Sequence, residues 1–217
     1  MDTESIRRTI TPLRLVFWGA LICVIDVTIT SGSFKFDILN DLVGALLIAV
    51  GVFRLADIRV SERYKGLMRF VQFGAVFAIV SAAMDFISLP HSIAFGVLGS
   101  LVSLITLAAT IVFCVAMRCF CDEASLARSS RSWRVTTILF VVIYAIPVGL
   151  FYVLGLVALA SSGSLNYRLN SPLALLIVPV FLIPLIHLFV STSRMKRDAG
   201  SAGPQDGPPT TASGPVG

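Results

Sequence analysis

Apolar residues fill this chain in long blocks, and short polar segments punctuate them. Crossing roughly 30 Å of hydrocarbon takes about 20 mostly apolar helical residues. Blocks of that length recur and predict helical spans over 13–30, 37–56, 67–89, 92–117, 135–160 and 172–190. Residues 1–12 read as a cytoplasmic lead-in whose Pro12 suits a first helical turn. Ser31 to Phe36 is a polar link, and Ile58 to Gly66, with Arg59, Glu62, Arg63 and Lys65, reads as a solvated loop. Pro90-His91 makes a tight turn, and 118–134, rich in Ser and Arg, is the longest expected internal connection. From Ser191 onward Gly, Pro, Ser and Thr predominate, which predicts a disordered cytoplasmic tail over 191–217. The expected fold is all-α: a polytopic bundle of six spans with no separate soluble domain.

Charge fixes the expected threading. The chain carries 17 Lys and Arg. With the N-terminus inside, all of them except Lys35 and Arg168 fall on one side of six spans. Cytoplasmic flanks retain positive charge, so both ends are expected in the cytoplasm. Asp26, Asp37, Asp41 and Asp85 map to the opposite half. The pI of about 9.3 then describes topological anchors against anionic headgroups, and nucleic acid is not the expected partner. Only 13% of residues are charged, against about 25% in soluble domains, so the bilayer is the first partner. Arg7, Arg8 and Arg14 before an apolar run resemble a signal peptide, but Asp26 interrupts its end and no A-x-A-like site follows. The segment is expected to stay as the first helix.

The candidate chemistry is acidic. Helical spacing aligns each outer Asp with small residues: Gly19, Cys23, Asp26 and Thr30; Asp37, Asp41, Gly44, Ile48 and Gly51; Gly74, Ala78, Ser81, Ala82 and Asp85. Small residues let helices approach closely, and intramembrane carboxylates turn inward. The first three spans are therefore expected to pack with their carboxylates converging near the outer surface, a site for a cation, a proton or a basic group of a partner. Asp37 and Asp41 also suit helix N-termini, whereas Asp26 and Asp85 lie near C-terminal ends, where the dipole disfavours them. His91 is placed to meet Asp85 across the turn; His187 is expected to hydrogen-bond between helices.

No reaction is legible. His91 and His187 map to opposite sides, and no H-E-x-x-H or G-x-S-x-G motif occurs. Cys119 and Cys121 flank Phe120 as a C-x-C with no second ligand pair nearby, so no metal, cofactor or disulfide is expected. Pro147, Pro179 and Pro184 open backbone carbonyls that neighbours must satisfy. Gly96, Gly99, Ser100 and Ser103 read as a packing face.

At FDILNDLVGALLIAVG the chain resembles a set of small bacterial multi-pass membrane proteins of unknown function. In these, a span ending in an Asp-containing stretch is followed by D-I-L-P-D-x-x-G and an apolar run. Asp26, Asp37, Ile38, Leu39, Asp41 and Gly44 match, and Asn40 stands where the pattern has proline. The resemblance covers about the first quarter of the chain and implies a bacterial cytoplasmic membrane, with no activity attached. The leading functional expectation is a non-enzymatic accessory protein whose span faces bind other membrane proteins or a second copy. The alternative is a small transporter or ion-conducting protein using Asp26, Asp41 and Asp85.

Overall fold

In the computed structural model the described backbone covers residues 3–24, 30–31, 34–35, 38–58, 60–85, 93–160 and 171–201; side chains are described over 9–23, 41–58, 60–84, 98–154 and 179–199. The helices are α1 (Thr3–Val24), α2 (Ile38–Ala56), α3 (Glu62–Asp85), α4 (Ile93–Glu123), α5 (Ala127–Phe140), α6 (Ile146–Ala160) and α7 (Ser171–Ser201). A π-helical turn, Val141–Ala145, joins α5 to α6 without leaving helical backbone, so the two form one rod and the described fold has six rods. Thr30 and Ser31 pair antiparallel with Lys35 and Phe34, a two-residue ladder inside the expected polar link. Glu62–Met84, Leu98–Glu123 and Ala127–Leu154 are long and apolar enough to cross a membrane.

The helices are patterned inside out. On α2 the buried positions include Gly44, Ala45, Ala49 and Val52, while Val43, Leu46, Val50 and Phe53 are exposed. On α3, Ala75 and Ala82 are buried while Phe70, Phe73, Val76 and Val80 are exposed. Small side chains inward and large apolar ones outward is the arrangement that suits helices surrounded by lipid. In water such a girdle would be an aggregation surface.

Contacts run in a ring. Each of α1 to α4 packs on the next helix, α4 packs on α5, α5 on α7, and α7 returns to α1. Glycine sets the α1–α2 approach: a Cβ at Gly19 would come within 2.6 Å of the Gly44 carbonyl oxygen, and one at Gly44 within 2.8 Å of the Gly19 oxygen. Gly74 of α3 turns instead to α4, where a Cβ would overlap that of Ala109. One end of the ring is filled solid. Tyr64, Met68, Met117, Phe120, Cys121, Trp133 and Met195 are fully buried there. The Tyr64 hydroxyl donates to the Leu55 carbonyl at 3.0 Å, and Phe113 meets Trp133 edge to face at 6.1 Å. The same end carries Arg54, Arg63, Lys65, Arg69, Arg118, Arg128, Arg131, Arg134, Arg194, Lys196 and Arg197, and is called the basic end below.

Several expected boundaries move. Residues 118–134 are no loop: α4 runs to Glu123, and α5 begins at Ala127. The turn between them is a Schellman closure, with Leu126 N–H on the Cys121 carbonyl (2.8 Å), Ser125 N–H on that of Asp122 (3.1 Å), and Ser125 left-handed at φ 58°. Arg118, Arg128, Arg131 and Arg134 are exposed, while the opposite stripe, Phe120, Cys121, Ser129, Ser130, Ser132 and Trp133, is buried. The expected tail from Ser191 is likewise helical to Ser201, because Ser191, Met195 and Ala199, four residues apart, are buried against the ring. Pro12 lies well inside α1 rather than in its first turn. Gly99 lacks the packing role expected of it, since a Cβ there meets nothing within 4 Å.

Gly74→Leu is expected to destabilise the purified protein by about 2–3 kcal/mol through overpacking, with Gly99→Leu near neutral. Ser125→Gly is expected to stabilise it by about 1 kcal/mol, because glycine carries no left-handed penalty. Thermal unfolding of the three variants in one detergent checks both.

Candidate functional site

Above the filled basic end, the ring borders an open cavity of about 660 Å³. All six rods contribute walls: Val16, Ala20 and Cys23 from α1; Asp41 to Val52 positions of α2; Val71 to Ala82 positions of α3; Val102 to Cys114 positions of α4; Phe140, Tyr144 and Val148 of the bent rod; Leu185 and Leu188 of α7. Along α3 the lining extends eleven residues, about 16 Å at 1.5 Å per residue. The floor is apolar, with Val71, Phe113 and Leu188. Its size lies within the range of small-molecule pockets, about 300–1,000 Å³.

Part of the polar lining has its donors committed. Thr106 donates to the Val102 carbonyl at 2.9 Å, and Thr110 to that of Thr106 at 3.0 Å. The Tyr144 hydroxyl donates to the Phe181 carbonyl, three residues before Pro184 in the turn whose ladder that proline interrupts. These three donor protons are committed, and their oxygens keep acceptor lone pairs. Asp41, in the first turn of α2, is the only charged side chain among the described lining residues. The Cys23 thiol points to the Asp41 backbone carbonyl at 3.8 Å, tying the α1 wall to the α2 wall. This part of the lining offers acceptor oxygens to a cation or a hydrogen-bond donor, and Ser81 and Ser103 add hydroxyls that can donate or accept.

Beside the cavity floor, α5 and α7 are sewn together by hydroxyls. Thr136 Oγ1 lies 2.8 Å from Ser191 Oγ and 2.9 Å from His187 Nδ1, and Ser132 Oγ lies 2.8 Å from Ser191 Oγ. Thr136 also donates backward to the Ser132 carbonyl at 3.1 Å when its proton is turned that way. His187 thus bonds between helices, as its position in an apolar helix predicts. Nearer the chain's polar end Ser129 donates to Asp198, and Ser130 to Asp122. Ser132, Thr136 and Ser191 are all buried, so the seam holds the helices rather than presenting a reactive group.

Of the expected acidic site, Asp41 is in the cavity wall. Asp26, Asp37 and His91 lie outside the described residues, and Asp85 ends α3 with its side chain outside them. Of the four carboxylates, the described side chains include that of Asp41 alone. The α1 and α2 small faces meet as expected, whereas Gly74 serves the α3–α4 contact. Sequence reading gave Ser103 a packing role, whereas it lines the cavity, and missed Thr106 and Thr110, three and seven residues further along α4, and Tyr144 on the bent rod. That hydroxyl spacing was visible in an otherwise apolar span. Among the described residues no three His, Cys, Asp or Glu side chains gather to hold a metal ion. Comparison with protein-family models, curated proteins and solved structures finds no match to this chain.

Thr136→Val keeps the shape and strips the seam, and is expected to cost about 1–2 kcal/mol. Tyr144→Phe is expected to cost about 1 kcal/mol by leaving the Phe181 carbonyl short of a donor. Thermal unfolding of each variant, and of the pair, measures both costs and their additivity.

Proposed function

We propose that this chain is a six-span protein of a bacterial cytoplasmic membrane with both termini in the cytoplasm, and that it is a small transporter that binds an organic cation in the cavity of its ring. The observation that carries the reading is the acceptor-rich lining, with Asp41 as its single described charge inside otherwise apolar walls. A carboxylate in an otherwise apolar wall favours a cation whose remaining surface is hydrocarbon, because a cation taken out of water needs negative charge or acceptor oxygens beside it. The protein acts by binding, without covalent chemistry.

The transporter reading stands ahead of the accessory-subunit one for a specific reason. The small-residue faces at Gly44 and Gly74, which an accessory subunit would need to offer to a partner helix, are occupied by contacts within the chain. The threading is supported by the gathering of described Arg and Lys at the end where α1 begins and α7 ends.

Two measurements test this. In intact cells, a cysteine at Ser33 is expected to react with a membrane-impermeant maleimide, and one at exposed Arg128 only after permeabilisation; the reverse pattern overturns the threading. In proteoliposomes, Asp41→Asn is expected to weaken binding of benzyltrimethylammonium about tenfold, a loss of about 1.4 kcal/mol. Equal affinity in the two proteins removes Asp41 from the site.

A further inference from the structure

The helix α5 differs from the other segments that reach the basic end. Elsewhere the cations are mixed with acids: Asp57 follows Arg54 by three residues, Glu62 pairs with Lys65 at 3.5 Å, Asp122 pairs with Arg118 at 3.8 Å, and Asp198 adjoins Arg197. In α1, Glu4 precedes Arg7 and Arg8. By contrast α5 carries Arg128, Arg131 and Arg134 and no Asp or Glu. Packing decides where these arginines face. Ser129, Ser130, Ser132, Trp133 and Thr136 are buried, α5 packs on α4 and α7, and Ser129 and Ser130 donate to Asp198 and Asp122 of those two neighbours. The three arginines are thereby turned outward, and all are exposed.

The same face continues as hydrocarbon. Arg128, Arg131, Val135, Ile138 and Val142 alternate by three and four residues, so they form one stripe along the rod. Val135 is 40% exposed, Ile138 51% and Val142 52%. From Arg128 to Val142 the stripe is about 21 Å long at 1.5 Å per residue, close to half of a bilayer with its headgroups, about 20 Å. Helical side chains lean toward the N-terminus of their helix, which for α5 is the basic end. The guanidinium groups of Arg131 and Arg134 therefore reach back toward Arg128 and water, and the apolar residues are left below them.

We propose that this face of α5 holds one phospholipid of net negative charge, drawn from the leaflet at the basic end. Its phosphate is held by Arg128, Arg131 and Arg134, and an acyl chain lies along Val135, Ile138 and Val142. Charge complementarity selects the occupant, since a zwitterionic lipid brings a cation of its own to an unmixed cationic surface. All three positions are Arg, whose planar fork matches phosphate oxygens two at a time. The whole basic end attracts anionic lipid loosely. On α5 that attraction becomes a site, because unmixed arginines stand directly above an exposed apolar stripe. The surface is on the outside of the ring and is independent of the cavity reading.

The test uses full-length protein in nanodiscs of equal phosphatidylglycerol and phosphatidylcholine, with retained lipids counted by native mass spectrometry. Wild type is expected to retain the anionic lipid about tenfold over the zwitterionic one. Replacing Arg128, Arg131 and Arg134 together by Gln is expected to bring that preference to about twofold or less. Replacing Arg63, Lys65 and Arg69 by Gln removes the same charge from α3 and is expected to keep the preference within about twofold of wild type. Thermal unfolding shows that both variants fold. No preference in wild type, no loss in the α5 variant, or equal loss in the two variants overturns the site. A phosphatidylglycerol with a diazirine in its acyl chain makes the comparison in the unaltered protein. Cross-links are expected to concentrate on residues 135–142 over Phe73, Val76 and Val80 of α3, which are exposed to a similar degree. Even labelling of the two helices overturns the stripe. Excess inorganic phosphate is expected to leave the lipid in place, and its displacement overturns the lipid as the occupant.

Discussion

Helices that face hydrocarbon gain nothing by hiding apolar side chains from it, so close contact and hydrogen bonds must hold them together. That constraint accounts for most of what is seen here. Large side chains such as Phe53, Phe73 and Phe151 point outward, and the inner faces are built from Gly, Ala and hydroxyl residues. Where two backbones nearly touch, at Gly19 and Gly44, the contact is tight enough that neither position accepts a side chain. Where they stand apart, hydroxyls bridge them, as Ser132, Thr136 and Ser191 do between α5 and α7.

The two ends of the ring solve the problem differently. At the basic end large residues return inward, and Tyr64, Phe120 and Trp133 fill the axis completely. Trp133 Nε1 has no hydrogen-bond partner among the described residues, so its burial rests on packing against neighbours such as Phe113. Further along, the inward positions are Ala75, Ala78, Ala82 and Ala109, too small to meet across a ring of six rods, and the axis opens. The cavity follows from side-chain size read along each helix: aromatic and Met inward gives a plug, Ala inward gives a hole.

Much of this was legible in the sequence. Apolar block length gave the helices, and the placement of Arg and Lys pointed to one end as distinct. The spacing of Gly19 with Cys23 and of Gly44 with Gly51 announced the α1–α2 contact. What could not be read was which neighbour each small face meets: Gly74 has the same spacing logic as Gly44 yet packs on α4. The polar stretches 118–134 and 191–201 read as loop and tail because their composition is polar. Their burial is periodic, at Leu126, Ser129, Ser130 and Trp133 and at Ser191, Met195 and Ala199, and the stripe is diluted by Ser129, Ser130 and Ser191, so it averages out of a hydropathy window. The cavity is a property of the gaps between helices and has no signature in any one of them. Only the hydroxyls of Thr106 and Thr110 hinted at it.

Ring closure depends on a single contact. Among the described residues, α1 meets the far side of the ring through α7. Without α7 the other five rods form a curved palisade with a seam along its length. Leu185 and Leu188 complete the wall there. The compartment that defines this molecule is not shared out rod by rod; it exists only once α7 slots home.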